Sequence, residues 1–153
     1  LHYDAFSNIL ATLEYVEING ISWGYQLLGV CLFFIPRSIW ASKPISTGEL
    51  IGDYLMNTTP RNYSNLSNPL VSEGYINFGL IGIVLLAIIL AYFIVKFIAW
   101  ITSKNDFKEF IAFYFALHLL FLLRGDLTNG VSYFVGPLLS VYFLPKLLIK
   151  LFR

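Results

Sequence analysis

The sequence predicts an all-α, polytopic integral membrane protein with three transmembrane helices, a short spanning or re-entrant segment and a long outer loop. Three observations predict it. Of the 153 residues 58% are hydrophobic and 12% charged, about half the ~25% charge of a soluble domain. The mean hydropathy is +0.72. The apolar residues also fall in long blocks rather than at strand or surface-helix spacing. Together these exclude a soluble globular enzyme and a disordered tail. A net charge of +1 supplies no basic footprint, so no nucleic-acid partner is expected. One cysteine, Cys31, and two histidines exclude a disulfide framework and a thiolate metal cluster. Neither a metal nor a cofactor is expected.

The first element is an outer amphipathic helix within residues 1–20, with Phe6, Ile9, Leu10, Leu13 and Val16 on one face. Asp4 is the expected N-cap, and Asn19-Gly20 the stop. Residues 21–36 follow as a short membrane-embedded segment. Its apolar run, residues 21–35, reaches about 23 Å as a helix, short of the ~30 Å hydrocarbon core. Residues 37–72 form the large outer loop, too long for a plain connector, and residues 57–69 read as irregular and solvated from their Asn, Ser, Thr and Pro content.

The last unit, residues 73–153, reads as a three-helix transmembrane region. Residues 74–95 are uncharged, and the apolar run continues past Lys96 to Ile101. Residues 110–123 and 130–145 supply two shorter uncharged stretches. The loop at residues 102–109 with its flanks, together with the C-terminus, carries six bases against two acids; the opposite side carries four bases against seven acids. The positive-inside rule then puts the C-terminus in the cytoplasm and the long loops outside. The first residue is Leu1, and the first twenty hold three acids and no base. That is unlike a signal peptide, and the chain reads as the C-terminal portion of a longer membrane protein.

The candidate chemistry is sparse. Arg124 closes a run of fourteen uncharged residues, which carries it to the outer edge of the hydrocarbon, where ionisable groups face protein or a water-filled cavity. Arg37 closes residues 21–35 in the same way. Two arginines at one interface suit a phosphate clamp, and headgroup anchoring is the competing use. Glu73 stands in the first turn of the most apolar helix, where the helix dipole favours it. His118 falls mid-helix, as a neutral side chain bonded to a neighbouring helix. Gly74, Gly79 and Gly82 permit close packing. Arg124-Gly125-Asp126 spells an adhesion tripeptide, and Asn57, Asn62 and Asn65 open glycosylation sequons; chance accounts for both.

The string Phe34-Ile35-Pro36-Arg37-Ser38-Ile39-Trp40, with Lys43-Pro44 and Gly48, resembles the signature of the O-antigen polymerase (Wzy-type), or oligosaccharide repeat-unit polymerase, family. Ile39 replaces the usual Leu and Ala41 the second Pro. Tyr3-Asp4-x-Phe6 upstream and Glu73-Gly74-Tyr75-Ile76-Asn77-Phe78-Gly79 downstream resemble further landmarks in the same order. Arg37 and Gly48 stand at an Arg-x10-Gly spacing, and the likeness covers residues 3–82.

The resemblance implies a metal-independent glycosyltransferase of the bacterial inner membrane with its active face in the periplasm. It would move a growing glycan from undecaprenyl pyrophosphate to a hydroxyl of another lipid-linked repeat unit, building surface polysaccharide. Donor and acceptor lipids are then the partners, with membrane lipid, a chain-length regulator and a flippase beside them. Arg37, Lys43 and Arg124 suit the pyrophosphate leaving group, and a carboxylate suits the acceptor proton: Glu73 first, then Asp126 and Asp4. A lipid-linked oligosaccharide transporter and an O-antigen ligase are the alternatives; a ligase would call on an outer-loop histidine, for which His2 is the available residue.

Overall fold

The computed structural model describes residues 5–58 and 67–151, and every regular element among them is helical. In order these are α1 (Ala5–Asn19), α2 (Tyr25–Cys31), α3 (Thr47–Thr58), α4 (Leu70–Ile101), α5 (Asp106–Arg124), α6 (Leu127–Leu138) and α7 (Leu144–Leu151), with a π-helical turn at Leu139–Phe143 joining the last two. Asp4, His2, Arg61, Asn62 and Asn65 lie outside the described residues.

Among the described residues one helix, Leu70–Ile101, is long and apolar enough to cross a membrane. It is broken near its start. Phe78 (φ −144°, ψ 22°) and Gly79 (φ 63°, ψ −145°) leave helical geometry, and the positive φ suits glycine alone at low cost. Gly74 and Gly82 meet across the break: a Cβ on Gly82 would collide with the Gly74 carbonyl oxygen, and a Cβ on Gly74 would lie 2.7 Å from the Ile83 backbone. Residues 70–77 therefore turn back on the long arm, residues 80–101, which is about 33 Å at ~1.5 Å per residue.

Asn77 fixes the break. Its Nδ2 donates to the Glu73 carbonyl at 2.8 Å, closing the preceding turn. Its Oδ1 accepts from Ser22 Oγ at 3.1 Å and from the Leu27 amide at 3.2 Å. The second contact serves α2, whose N-cap Gly24 has no side chain to offer. The Ser22 amide donates to the Ile76 carbonyl at 2.8 Å, and the Phe78 ring sits where a Gly24 side chain would be.

Two cores flank the break. On one side Ala11, Val16, Ile51, Leu55 and Ile76 join α1, α3 and the short arm of α4. On the other, Phe97, Ala112, Phe115 and Leu122 join the long arm to α5, with Phe134 of α6 against them. The outward faces of this second unit stay apolar. Leu80, Val84 and Ile88 of α4 and Leu117 and Leu120 of α5 are all more than half exposed, a surface that suits lipid or further helices rather than water.

Two features add to what the sequence predicts. The apolar face assigned to α1 is largely turned outward: Phe6, Leu10 and Leu13 are exposed, while Asn8, Ala11, Thr12 and Val16 are buried. Polar pairing decides the orientation, because Asn8 Nδ2 donates to the Ser67 carbonyl at 2.6 Å and Thr12 Oγ1 meets Asn68 Oδ1 at 3.3 Å. Second, the outer loop at residues 37–72 holds a helix ahead of the stretch read as irregular. Helix α3 occupies Thr47–Thr58, opened by Ser46, whose Oγ accepts from the Glu49 amide at 3.3 Å. Within residues 21–36 the helix is only the seven-residue α2, about 10 Å long.

Pro137 lies inside α6 and cannot donate to the carbonyl four residues back, that of Tyr133. Tyr114 Oη of α5 donates to that carbonyl instead, at 2.8 Å. Tyr114→Phe is expected to cost about 1 kcal/mol, and close to nothing when Pro137→Ala restores an amide. A double-mutant unfolding cycle in detergent checks this; equal costs in both backgrounds would detach Tyr114 from the proline.

Candidate active site

Three helix starts converge on two buried carboxyl groups. Glu73, in the short arm of α4, is 0% exposed, and Asp126, the N-cap of α6, is 4% exposed. Asp126 Oδ1 accepts from the Asn129 amide at 3.0 Å, the usual cap contact. Its Oδ2 accepts from the Gly48 amide, in the first turn of α3, at 2.8 Å. Glu73 Oε1 accepts from the Leu127 amide, the first of α6, at 2.9 Å. Helix N-termini present unpaired N–H groups and a positive dipole end, so this junction suits negative charge. Thr47 links the two carboxyls: its Oγ1 bonds Glu73 Oε1 and lies 3.3 Å from Asp126 Oδ2.

One oxygen of this cluster is unsatisfied. Glu73 Oε2 is buried and has no hydrogen-bond partner among the described residues, and Ser72 Oγ and Asn68 Nδ2, earlier on the same segment, share that condition. A buried carboxyl oxygen without a donor is costly.

The cationic candidates sit in the loop ahead of α3 and at the end of α5. Arg37 is exposed, donating from Nη1 to the Lys43 carbonyl at 2.7 Å and from Nη2 to the Pro44 carbonyl at 3.3 Å. Lys43 Nζ donates to the carbonyls of Phe33 (2.6 Å) and Ile35 (2.9 Å), just past α2. Pro44 packs on Gly29 of α2, so closely that a Cβ there would collide with its ring. Arg37 and Lys43 thus tie residues 33–44 together, and Pro44 seats that loop on α2. Arg124 is the last residue of α5, exposed, two positions ahead of Asp126. His118 Nε2 lies 3.1 Å from the Gly130 carbonyl of α6, within a cluster of Tyr114, Phe121 and Phe134 rings.

The structure therefore brings Glu73 and Asp126 together and adds Thr47 and the Gly48 amide, neither of which was among the expected site residues. Gly48 carried a trace in its spacing from Arg37, and the Ser46-x-x-Glu49 capping pattern marked the helix start that presents it. No protein-family model, curated protein or solved structure matches the chain.

Proposed function

We propose that the chain is part of a membrane glycosyltransferase that polymerises undecaprenyl-pyrophosphate-linked repeat units at the outer face of the bacterial inner membrane, without a metal. The observation that carries this reading is the buried Glu73–Asp126 pair with Glu73 Oε2 unpartnered, at the foot of the apolar arm of α4. In this reading three rods cross the bilayer: residues 80–101, α5, and the continuous run from α6 through α7.

The chemistry follows from charge. Glycosyl transfer from a pyrophosphate leaves the negative charge on phosphate oxygens, which Arg37, Lys43 and Arg124 neutralise from the loop and from the end of α5. The acceptor hydroxyl must lose a proton as it attacks, and Glu73 Oε2 receives it. Asp126 sits beside it as the charged partner. Glu73 is closed off in this conformation, so glycan binding has to uncover it. Asp4, the third carboxylate candidate, belongs to the residues outside the description. A proton-coupled carrier of lipid-linked oligosaccharide is the second reading, since two carboxyls bridged by one hydroxyl also suit a protonation switch.

The arginines test the leaving-group half of the proposal. A planar guanidinium grips a pyrophosphate through paired N–H groups, and an ammonium does not reproduce that fork. In cells making the native repeat unit, Arg37→Lys and Arg124→Lys are each expected to give lipid capped by single repeat units at normal protein levels. Long-chain polysaccharide at wild-type levels from both variants would leave these residues as lipid anchors and remove the cationic site.

A further inference from the structure

We infer that Glu73 and Asp126 hold one proton between them through the Thr47 hydroxyl, and that Thr47 relays a proton taken up at Glu73 Oε2 to Asp126. The relay rests on the polymerase reading for the source of its proton. The shared proton does not.

Thr47 has fewer hydrogens than contacts. Thr47 Oγ1 touches a carboxyl oxygen on each side, Glu73 Oε1 and Asp126 Oδ2, and a hydroxyl has one hydrogen to give. With both carboxyls ionised, one of the two contacts sets oxygen against oxygen with no full hydrogen between them. A proton on one carboxyl satisfies both contacts.

Backbone donors say which carboxyl carries it. Asp126 has an amide on each oxygen, from Asn129 and Gly48, and lies at two helix N-termini, so it keeps the charge. Glu73 has one amide, from Leu127 on Oε1, and none on Oε2. The proton therefore sits on Glu73 Oε1 and is donated to Thr47 Oγ1, and the Thr47 hydrogen is donated to Asp126 Oδ2.

Among the described residues the surrounding elements add no buried charge. Glu14 and Glu17 of α1, Glu49 of α3, Tyr25 and Cys31 of α2 and Arg124 of α5 are exposed, and Asp53 of α3 is half-buried. His118 of α5 is held by the Gly130 carbonyl.

The transfer then balances. The acceptor oxygen forms its bond to the donor anomeric carbon as the bond from that carbon to pyrophosphate breaks, and the electron pair leaves with the phosphate oxygen. The acceptor proton moves to Glu73 Oε2, the Oε1 proton moves to Thr47, and the Thr47 proton moves to Asp126. The carboxyl pair ends neutral, with the negative charge on the departing pyrophosphate. Thr47 is a positioning residue in this scheme; Glu73 is the group that touches substrate.

Three measurements on the purified full-length protein test it. Infrared difference spectra at neutral pH are expected to show a protonated-carboxyl C=O band that Glu73→Gln removes. Thr47→Val should shift this band to the position of a free acid, and Thr47→Ser should keep it in place. Lipid-linked repeat-unit extension is expected to fall about 10²-fold or more in Thr47→Val and to recover in Thr47→Ser. The solvent deuterium effect should report several moving protons in wild type and a single one in Thr47→Val. A wild-type protein that extends glycan but lacks the band would overturn the shared proton. An unchanged isotope effect in Thr47→Val would overturn the relay. The band present in a protein that extends no glycan would keep the shared proton and sink the polymerase reading instead.

Discussion

Glu73→Gln is expected to lower glycan extension by about 10²–10⁴-fold, the usual worth of a general base, in a protein that still folds. The amide has the shape of the acid, and its oxygen can still accept from the Leu127 amide, the contact Glu73 Oε1 makes at 2.9 Å. What it loses is the Oε1 proton given to Thr47 and the ability to take up a proton on the atom that has no partner, Oε2. Glu73→Leu is a harsher change, because it strands the Leu127 amide in a buried site. The pair of variants separates roles. Cells carrying Glu73→Gln should accumulate lipid capped by single repeat units, with protein at wild-type abundance. Polymer of normal length from Glu73→Gln would leave Glu73 as a structural group at a helix start.

Gly82→Ala is expected to destabilise the protein by about 3 kcal/mol, the upper end of overpacking costs. The new methyl would overlap the Gly74 carbonyl oxygen and stand 2.8 Å from its carbonyl carbon. Those are backbone atoms, so no rotamer change relieves the clash, and the fold must open at residues 78–79. Opening there withdraws Asn77 from Ser22 and Leu27. It also disturbs Glu73, whose carbonyl is held by the Asn77 side chain. Gly136→Ala is the control, since a Cβ at that helical position meets nothing within 4 Å. Unfolding of the two variants in detergent checks the contrast; equal midpoints would mean that the two arms of α4 do not meet as described.

The parts of this architecture that were legible in the sequence are those written in local pattern. The apolar arm of α4 announces itself because residues 80–95 hold no charge or proline. Its break does not, since an apolar run through Phe78-Gly79 has the same composition whether the chain goes straight or turns. For α1, a 3.6-residue period tells which residues share a face but not whether that face meets protein or the outside. Here Asn8 and Thr12 find partners at Ser67 and Asn68, and Phe6, Leu10 and Leu13 are left outward while Val16 stays in the core. Helix α3 was hidden by the Asn- and Thr-rich composition that follows it, although Ser46 and Glu49 carried its start signal. Glu73 and Asp126 were each identifiable by their place at a helix start. Their meeting through Thr47 was not, because it is made by tertiary packing between segments far apart in the chain.

The most direct measurement is extension by the purified full-length protein in liposomes supplied with a synthetic undecaprenyl-pyrophosphate repeat unit as its only glycan. The account predicts a ladder of lengthening lipid-linked glycans with release of undecaprenyl pyrophosphate, in the presence of a metal chelator, and no ladder from Glu73→Gln. Passage of the unextended lipid-linked unit across the bilayer, with no ladder from the wild-type protein, would contradict it and identify a carrier.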